Sequence, residues 1–252
     1  MYNFFVEDSA KLDSGYKIIG SDYNHIANVL RMKIGERILV SNGGKSDLCE
    51  IIGIDNNMVE VKILEENYNN AELPIDIILF QGLPKSDKME LIIQKTVELG
   101  VSKIYSVEMK RCVVKLDDKK KNSKISRWQS ICESAAKQSK RNHIPEICPV
   151  ISYKEALNIA KGLDLVLVPY ENENGMKSTE TTLSKIKSGM KIGVFIGSEG
   201  GFDQSEIDSA KDINAQIISL GKRILRTETA AITSLSMLML YCEIKMGGSE
   251  TL

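Results

Sequence analysis

Two arginines three residues apart, Arg223 and Arg226, stand between a short apolar run, Gln216–Leu220, and a helical pattern that opens at Thr227. A guanidinium at such a strand-to-helix junction suits a phosphate or an anion that develops during a reaction. The alternative is a pair of arginines on a solvated loop. Upstream, Gly197-Ser198-Glu199-Gly200-Gly201-Phe202 follows a second apolar run, Lys191–Ile196. Gly197, Gly200 and Gly201 carry no Cβ, so a ligand edge such as a purine can approach the backbone closely. The run fits neither the G-x-G-x-x-G nor the G-x-x-x-x-G-K-[ST] pattern, which leaves dinucleotide and P-loop readings without their fingerprints. Both segments follow strands and precede helices, and the carboxyl ends of strands are where α/β folds bind ligands.

The elements that position these loops alternate from Ile75 onward. Strands are expected at Ile75–Phe80, Lys103–Glu108, Leu163–Val168, Lys191–Ile196 and Gln216–Leu220, with helices between them. That alternation predicts an α/β fold with a largely parallel sheet. Asp87 and Glu90 have the spacing of a capping box, and Gly100 ends the helix that follows. A further helix is expected over Ile125–Ser139, preceded by a polar loop holding Lys119, Lys120 and Lys121. Asp203 and Glu206 can cap another. The last helix, Thr227–Met246, has Thr227 as its expected N-cap and Glu228 placed to complement its dipole. It is apolar nearly all round, so it is either a central core helix or half of a subunit interface.

The first seventy residues read as β-rich. Arg37–Ser41 closes on the turn residues Asn42, Gly43 and Gly44, and Leu48–Ile54 and Met58–Leu64 flank Asp55-Asn56-Asn57, a hairpin turn. Short strands with tight turns predict a small barrel. Asp22–Met32 has the spacing of a helix, and Glu65–Pro74 reads as a linker, which divides the chain into domains 1–72 and 73–252.

With 252 residues, 42% hydrophobic and 27% charged, the chain has the balance of a soluble globular protein. No apolar run approaches the roughly 20 residues needed to span a bilayer, and Met1–Phe5 lacks a signal-peptide plan, so a cytoplasmic protein without membrane contact is expected. The five cysteines are scattered without a C-x-x-C pair, and His25 and His143 lie far apart, which predicts reduced thiols and no metal. The net charge of -1 hides an asymmetry: residues 1–72 hold 7 Lys/Arg against 12 Asp/Glu, whereas residues 102–143 hold 12 against 4. The basic segment suits a polyanion or forms a solvated face.

Gly197–Gly201 followed by Leu220-Gly221-Lys222-Arg223-Ile224-Leu225-Arg226-Thr227-Glu228-Thr229-Ala230 resembles the signature of the ribosomal RNA small subunit methyltransferase E family. The resemblance extends to Gln81-Gly82-Leu83-Pro84-Lys85 with Lys88-Met89-Glu90, to Ile93-Gln94-Lys95 with Glu98-Leu99-Gly100-Val101, to Arg127-Trp128-Gln129, and to Gln138-Ser139-Lys140-Arg141 with Pro145-Glu146. His25–Asn42 is similar to the family's small N-terminal PUA-like β-barrel. Two positions depart: Ser198 stands where the family usually has proline, and Asn3 where it usually has arginine.

This resemblance implies a trefoil-knotted domain of the SPOUT superfamily, a homodimer, and S-adenosylmethionine as donor for methylation of N3 of a uridine in 16S rRNA of the small ribosomal subunit. The implied cofactor loops contain Val168; Gly197, Glu199, Gly200 and Gly201; and Leu220, Gly221, Ile224 and Leu225. Arg226 is the expected catalytic residue, stabilising with nearby backbone N–H groups a uridine that has lost its N3 proton. Glu199 is either an electrostatic partner or proton acceptor at the site or a brace for its own loop. Arg31, Lys33, Lys85, Lys137, Gln138 and Arg141 are the expected RNA contacts, and Lys140, Arg37 and Lys45 add to the basic surface. Ribose 2′-O methylation and a noncatalytic role in ribosome assembly are the rival readings.

Overall fold

Apolar residues two apart face the same side of a strand, and the first seventy residues use that spacing to build one core. In the computed structural model, which describes residues 1–246 apart from Asn56, Ser86 and residues 172–174, β1 (Asn3–Phe5), β2 (Gly15–Ile19), β3 (Arg37–Asn42), β4 (Lys45–Asp55) and β5 (Met58–Asn69) form a sheet in the order β1-β3-β4-β5-β2. Ile38 and Val40, Cys49 and Ile51, and Val59 and Val61 are buried together with Phe4, Tyr16 and Ile26. Asn56 of the expected turn lies outside the described residues.

The expected linker begins late. β5 continues to Asn69, pairing Glu65 with Leu48 and Asn69 with Ser46. A polar stretch remains a strand here because β4 supplies backbone partners while Glu65 and Glu66 face solvent. The helix expected over Asp22–Met32 is one α-turn, α1 (Gly20–Asn24), continued by a π-helical turn over His25–Val29 and stopped by Arg31 at φ 53°.

The chain forms two compact units, Met1–Glu72 with Ala136–Ile144, and Leu73–Ala135 with Pro145–Leu252. Ala136–Ile144 lies within the expected second domain but belongs to the first unit. Its ties explain why: Lys137 Nζ lies 2.7 Å from Asp22 Oδ1, Asn69 Nδ2 donates to the Lys140 carbonyl, and Arg141 binds Glu72.

In the second unit, β6 (Asp76–Gly82), β7 (Val101–Glu108), β8 (Glu146–Ile147), β9 (Ile151–Ser152), β10 (Leu165–Pro169), β11 (Lys191–Ile196) and β12 (Gln216–Ile218) form a parallel sheet. Its order is β12-β10-β11-β6-β7-β8, with β9 also on β7. The central strands are apolar on both faces, as in Ile77–Phe80 and Ile192–Ile196, because helices cover both sides. Those helices are α2 (Lys88–Glu98), α3 (Asp118–Gln138), α4 (Tyr153–Ala160), α5 (Lys177–Leu183), α6 (Gln204–Asp212) and α7 (Thr227–Met246).

Two helix starts differ from expectation. Asp87 precedes α2 but its side chain makes no cap bond, and the Glu90 carboxylate is taken by Arg127, 2.9 Å away. Lys119, Lys120 and Lys121 lie in α3, not in a loop. The Asp117 carboxylate accepts from the Lys120 backbone N–H at 2.9 Å and caps that helix, and Lys121 pairs with Glu108. By contrast, Asp203 and Glu206 form the full capping box of α6.

α7 buries a single stripe, Thr227, Ala231, Ser234, Leu235, Leu238 and Cys242, against its own chain. Its other face leaves Leu240 52% and Ile244 74% exposed, so it is not a helix enclosed in a core. No helix among the described residues is long and apolar enough to cross a membrane.

Candidate functional site

The loops after β10, β11 and β12 converge at the carboxyl end of the sheet, and the chemistry of the site begins with how they are held. Gly201 N–H donates to the Ser198 carbonyl at 2.9 Å, closing a tight turn in which Gly201 sits at φ 67°, a conformation that suits glycine. Gly200 is needed for a different reason, since a Cβ there would lie 2.8 Å from the Arg111 Cβ. Its missing side chain therefore admits protein, not ligand. Arg111 in turn donates to the Gly200 carbonyl at 3.1 Å, and Lys110 N–H donates to Glu206, so the segment after β7 clamps the loop from behind.

Thr227 does not act as a simple cap. Its hydroxyl donates to the Gly197 carbonyl at 2.6 Å and accepts from Gln81 Nε2 at 2.8 Å, while Gln81 also donates to its neighbour's carbonyl at Gly82. The end of β6, the glycine loop and the start of α7 are thus joined by one buried polar network. Because β12 is the edge strand, the chain between Ile218 and Thr227 must cross the carboxyl ends of β10 and β11 to make this bond.

Glu199 is held from two directions. Its carboxylate accepts from the Lys85 backbone N–H at 2.9 Å and lies 3.1 Å from Lys88 Nζ, which is itself 3.5 Å from Glu228. Burial opposes its charge, yet the backbone N–H groups and the Lys88 ammonium outweigh burial and hold the carboxyl below the ordinary glutamate range. The hydrogen bond to Glu199 correspondingly raises Lys88, against the opposing pull of partial burial.

Between these walls lies a cavity of about 420 Å³, inside the range of roughly 300–1,000 Å³ usual for small-ligand sites. Gly197–Phe202, Ile224–Thr227, Pro169, Glu171 and Lys88 line it. A smaller recess of about 70 Å³ adjoins it through shared residues and is lined by Leu220, Gly221, Arg223, Ile224, Leu225 and Glu171. Of the expected cofactor residues, Gly197, Glu199, Gly200, Gly201, Ile224 and Leu225 line the first and Leu220 and Gly221 the second. Val168 lines neither. It is fully buried in the sheet core, and the β10 loop reaches the cavity through Pro169 and Glu171 instead. Arg226 is exposed and is one of the residues lining this cavity, and its side chain makes no hydrogen bond or ion pair among the described residues.

The expected RNA contacts divide sharply. Arg31, Lys33, Lys85 and Gln138 are exposed, and Lys137 is paired with Asp22. Arg141 cannot serve a phosphate as the fold stands: it is 2% exposed, and Nε and Nη2 bind the Glu72 carboxylate at 2.6–2.9 Å. Asn3 is equally internal, donating to the Arg141 carbonyl at 2.9 Å. Lys88, Glu171, Arg111, Gln81 and Thr227 carry structural or cavity roles that sequence reasoning does not assign. Gln81, Lys88 and Thr227 stand in the motifs that carry the family resemblance, whereas Glu171 and Arg111 lie outside them.

A family model described as an RNA methyltransferase domain matches residues 71–239, and one described as an RNA methyltransferase PUA domain matches residues 18–64. The ribosomal RNA small subunit methyltransferase E of Bacillus subtilis strain 168 is 35% identical over 236 residues, covering 92% of each chain. Its counterpart from Mesomycoplasma hyopneumoniae strain 232 is 34% identical, over 92% of this chain and 96% of the relative. A crystal structure of the Neisseria gonorrhoeae enzyme of that name, bound to S-adenosylmethionine, superposes with a TM-score of 0.79 at 31% identity, over 95% and 97% of the two chains. With both domains matched and relatives aligned along nearly its whole length, the chain belongs to the ribosomal RNA small subunit methyltransferase E family.

Proposed function

We propose that this protein transfers the methyl group of S-adenosylmethionine to N3 of a uridine in 16S rRNA of the small ribosomal subunit, and that Arg226 is the catalytic cation. The observation that carries the reading is an arginine, its side chain unpartnered among the described residues, in the lining of a 420 Å³ cavity walled by glycine-loop backbone. The donor set fits the cofactor: backbone amides, the apolar Ile224 and Leu225, and the carboxylate of Glu171 answer to a purine edge, an apolar linker and hydroxyl or ammonium donors. When bound, S-adenosylmethionine supplies an electrophilic methyl group on a sulfonium.

The protein's own residues deal with the nucleophile. Uridine N3 holds its proton too tightly at neutral pH to attack unaided, so the site must favour the deprotonated base. Arg226 stabilises the negative charge that develops on the uracil. The two loops hold the base in line with the donor, which supplies the orientation that a bimolecular encounter lacks. Arg31, Lys33, Lys85 and Gln138, with Lys137 beside Asp22, are the proposed contacts to the rRNA.

The same reading implies a trefoil knot, a homodimer and a cytoplasmic location. The crossing of residues 219–226 over β10 and β11 supports the knot, an arrangement otherwise almost absent from proteins. The exposed Leu240 and Ile244 on α7 support a second copy as the partner of that face. Labelled methyl transfer to small subunits lacking this modification, followed by nucleoside analysis and mapping, tests the activity. N3-methyluridine and a reverse-transcription stop are expected; a 2′-O-methyl product, or binding without transfer, overturns it.

A further inference from the structure

The carboxylates lining the cavity are not equivalent. Glu199 is engaged through Oε1 by Lys88 and the Lys85 N–H, and Glu228 at the edge of the site shares the same lysine. Glu171 lines both the 420 Å³ cavity and the smaller recess, and its side chain makes no hydrogen bond or ion pair among the described residues. It is nevertheless well positioned. Tyr170 N–H donates to the Ile218 carbonyl at 3.0 Å, so the β10–β12 ladder extends to the residue immediately before it. Across the crevice, its two carboxylate oxygens lie 3.6 and 3.7 Å from where a Cβ on Gly201 would stand. The carboxylate therefore faces the glycine loop, between the ends of two adjacent strands.

We infer that Glu171 is a cofactor-binding residue, the anionic acceptor for donor groups of the adenosyl cofactor: its vicinal ribose hydroxyls or its ammonium group. The inference rests on the proposal that S-adenosylmethionine occupies this cavity. The other acceptors of the lining are single hydroxyls, at Ser198 and Thr227, backbone carbonyls, and the Glu199 carboxylate already engaged by Lys88 and the Lys85 N–H, so Glu171 is the carboxylate best able to meet several N–H and O–H donors at once. An acidic side chain at the end of a neighbouring strand is how other open α/β sheets hold a ribose diol. Glu171 thus has its acceptor capacity available to the ligand's donors, just as Arg226 has its donors available to the substrate's charge.

Titration calorimetry with S-adenosylhomocysteine, which carries both donor groups and reacts no further, tests the inference on the full chain and on Glu171→Ala and Glu171→Gln. Glu171→Ala is expected to raise Kd at least tenfold with the thermal unfolding midpoint unchanged, and Glu171→Gln to fall between. Repeating the titration with 5′-methylthioadenosine, which keeps the ribose and lacks the amino acid, separates the sources. A loss that persists assigns the hydroxyls, and a loss that vanishes assigns the ammonium. Parental affinity for S-adenosylhomocysteine in Glu171→Ala overturns the role of Glu171. Failure of the unaltered protein to bind it overturns the cofactor reading itself.

Discussion

Arg141 in the first unit and Arg226 in the second carry the same guanidinium and meet opposite surroundings. Arg141 is buried, with Nε and Nη2 committed to Glu72, His143 close by, and Asn142 N–H donating to the same carboxylate at 2.7 Å. Arg226 stands on a loop facing a cavity with no acceptor of its own among the described residues. A paired charge contributes to holding a fold, whereas an unpaired one at a cavity wall is available to a ligand. The carboxylates divide in the same way, with Glu72 and Glu199 committed and Glu171 open.

The sharpest way to break this comparison is to remove the buried arginine. Arg141→Ala leaves the half-buried Glu72 carboxylate with only the Asn142 N–H and His143, and losing one partner of a fully buried pair typically costs about 3–5 kcal/mol, which is the upper bound here. Urea unfolding at neutral pH should show a loss approaching that size. Burial opposes the Glu72 charge, but Arg141, His143 and the Asn142 N–H outweigh it and hold its carboxyl below the ordinary range. A depressed folded pKa means that this stabilisation is complete above the unfolded value of about 4.3 and is lost as pH falls through the lower folded value. The gap between Arg141→Ala and the parent should therefore shrink in acid. A variant as stable as the parent at neutral pH would mean the pair does not hold the unit.

Arg226→Ala should give the complementary result, with the fold intact and the chemistry lost. Removing a donor that stabilises developing charge costs on the order of 10²–10³ in rate, so single-turnover methyl transfer should fall by that factor while the unfolding midpoint stays put. Transfer at the parental rate with unchanged cofactor binding would return Arg226 to the solvated-loop reading.

The buried network behind the site gives a third, smaller effect. Thr227→Val removes the hydroxyl that joins Gln81 to the Gly197 carbonyl. Leaving buried polar groups unsatisfied costs about 1–3 kcal/mol, and Thr227→Ser should restore most of it. Equal stability in Thr227→Val and the parent would mean that the loop is held by Arg111, Lys110 and the Glu199 contacts without this network.

The two glycine-bearing loops and the α/β alternation are legible in the sequence because they rest on local signals: apolar runs, turn residues and one intact capping box. What escapes depends on partners far away in the chain. Nothing near Gln138–Arg141 reveals that Glu72, sixty-nine residues earlier, closes on Arg141, so a basic tetrad reads as an RNA contact. Glu65–Asn69 is polar enough to read as a linker, and only its pairing with β4 makes it a strand. Asp117 is hidden as a cap because the lysines that follow dominate the local composition. Val168 is the natural choice for a cofactor residue at the end of a strand, yet parallel-sheet interiors bury such a side chain, and the chain reaches the cavity only beyond it, at Pro169 and Glu171.

Glu199 gives the smallest expected effect and decides between the two roles open to it. A general base works best with a pKa near the operating pH, and Glu199 is displaced in the other direction by the Lys85 N–H and Lys88. It therefore belongs with Glu72, among the committed charges, and braces the glycine loop against the start of α2. Glu199→Gln keeps an oxygen to accept from Lys85 and leaves Lys88 with Glu228. Exposed pairs of this kind contribute about 0–1 kcal/mol, so methyl transfer should stay within about tenfold of the parent, with an unshifted pH–rate profile. A loss of about a hundredfold or more, accompanied by disappearance of one limb of that profile, would make Glu199 the proton acceptor and move it to the side of the comparison that now holds Arg226 and Glu171.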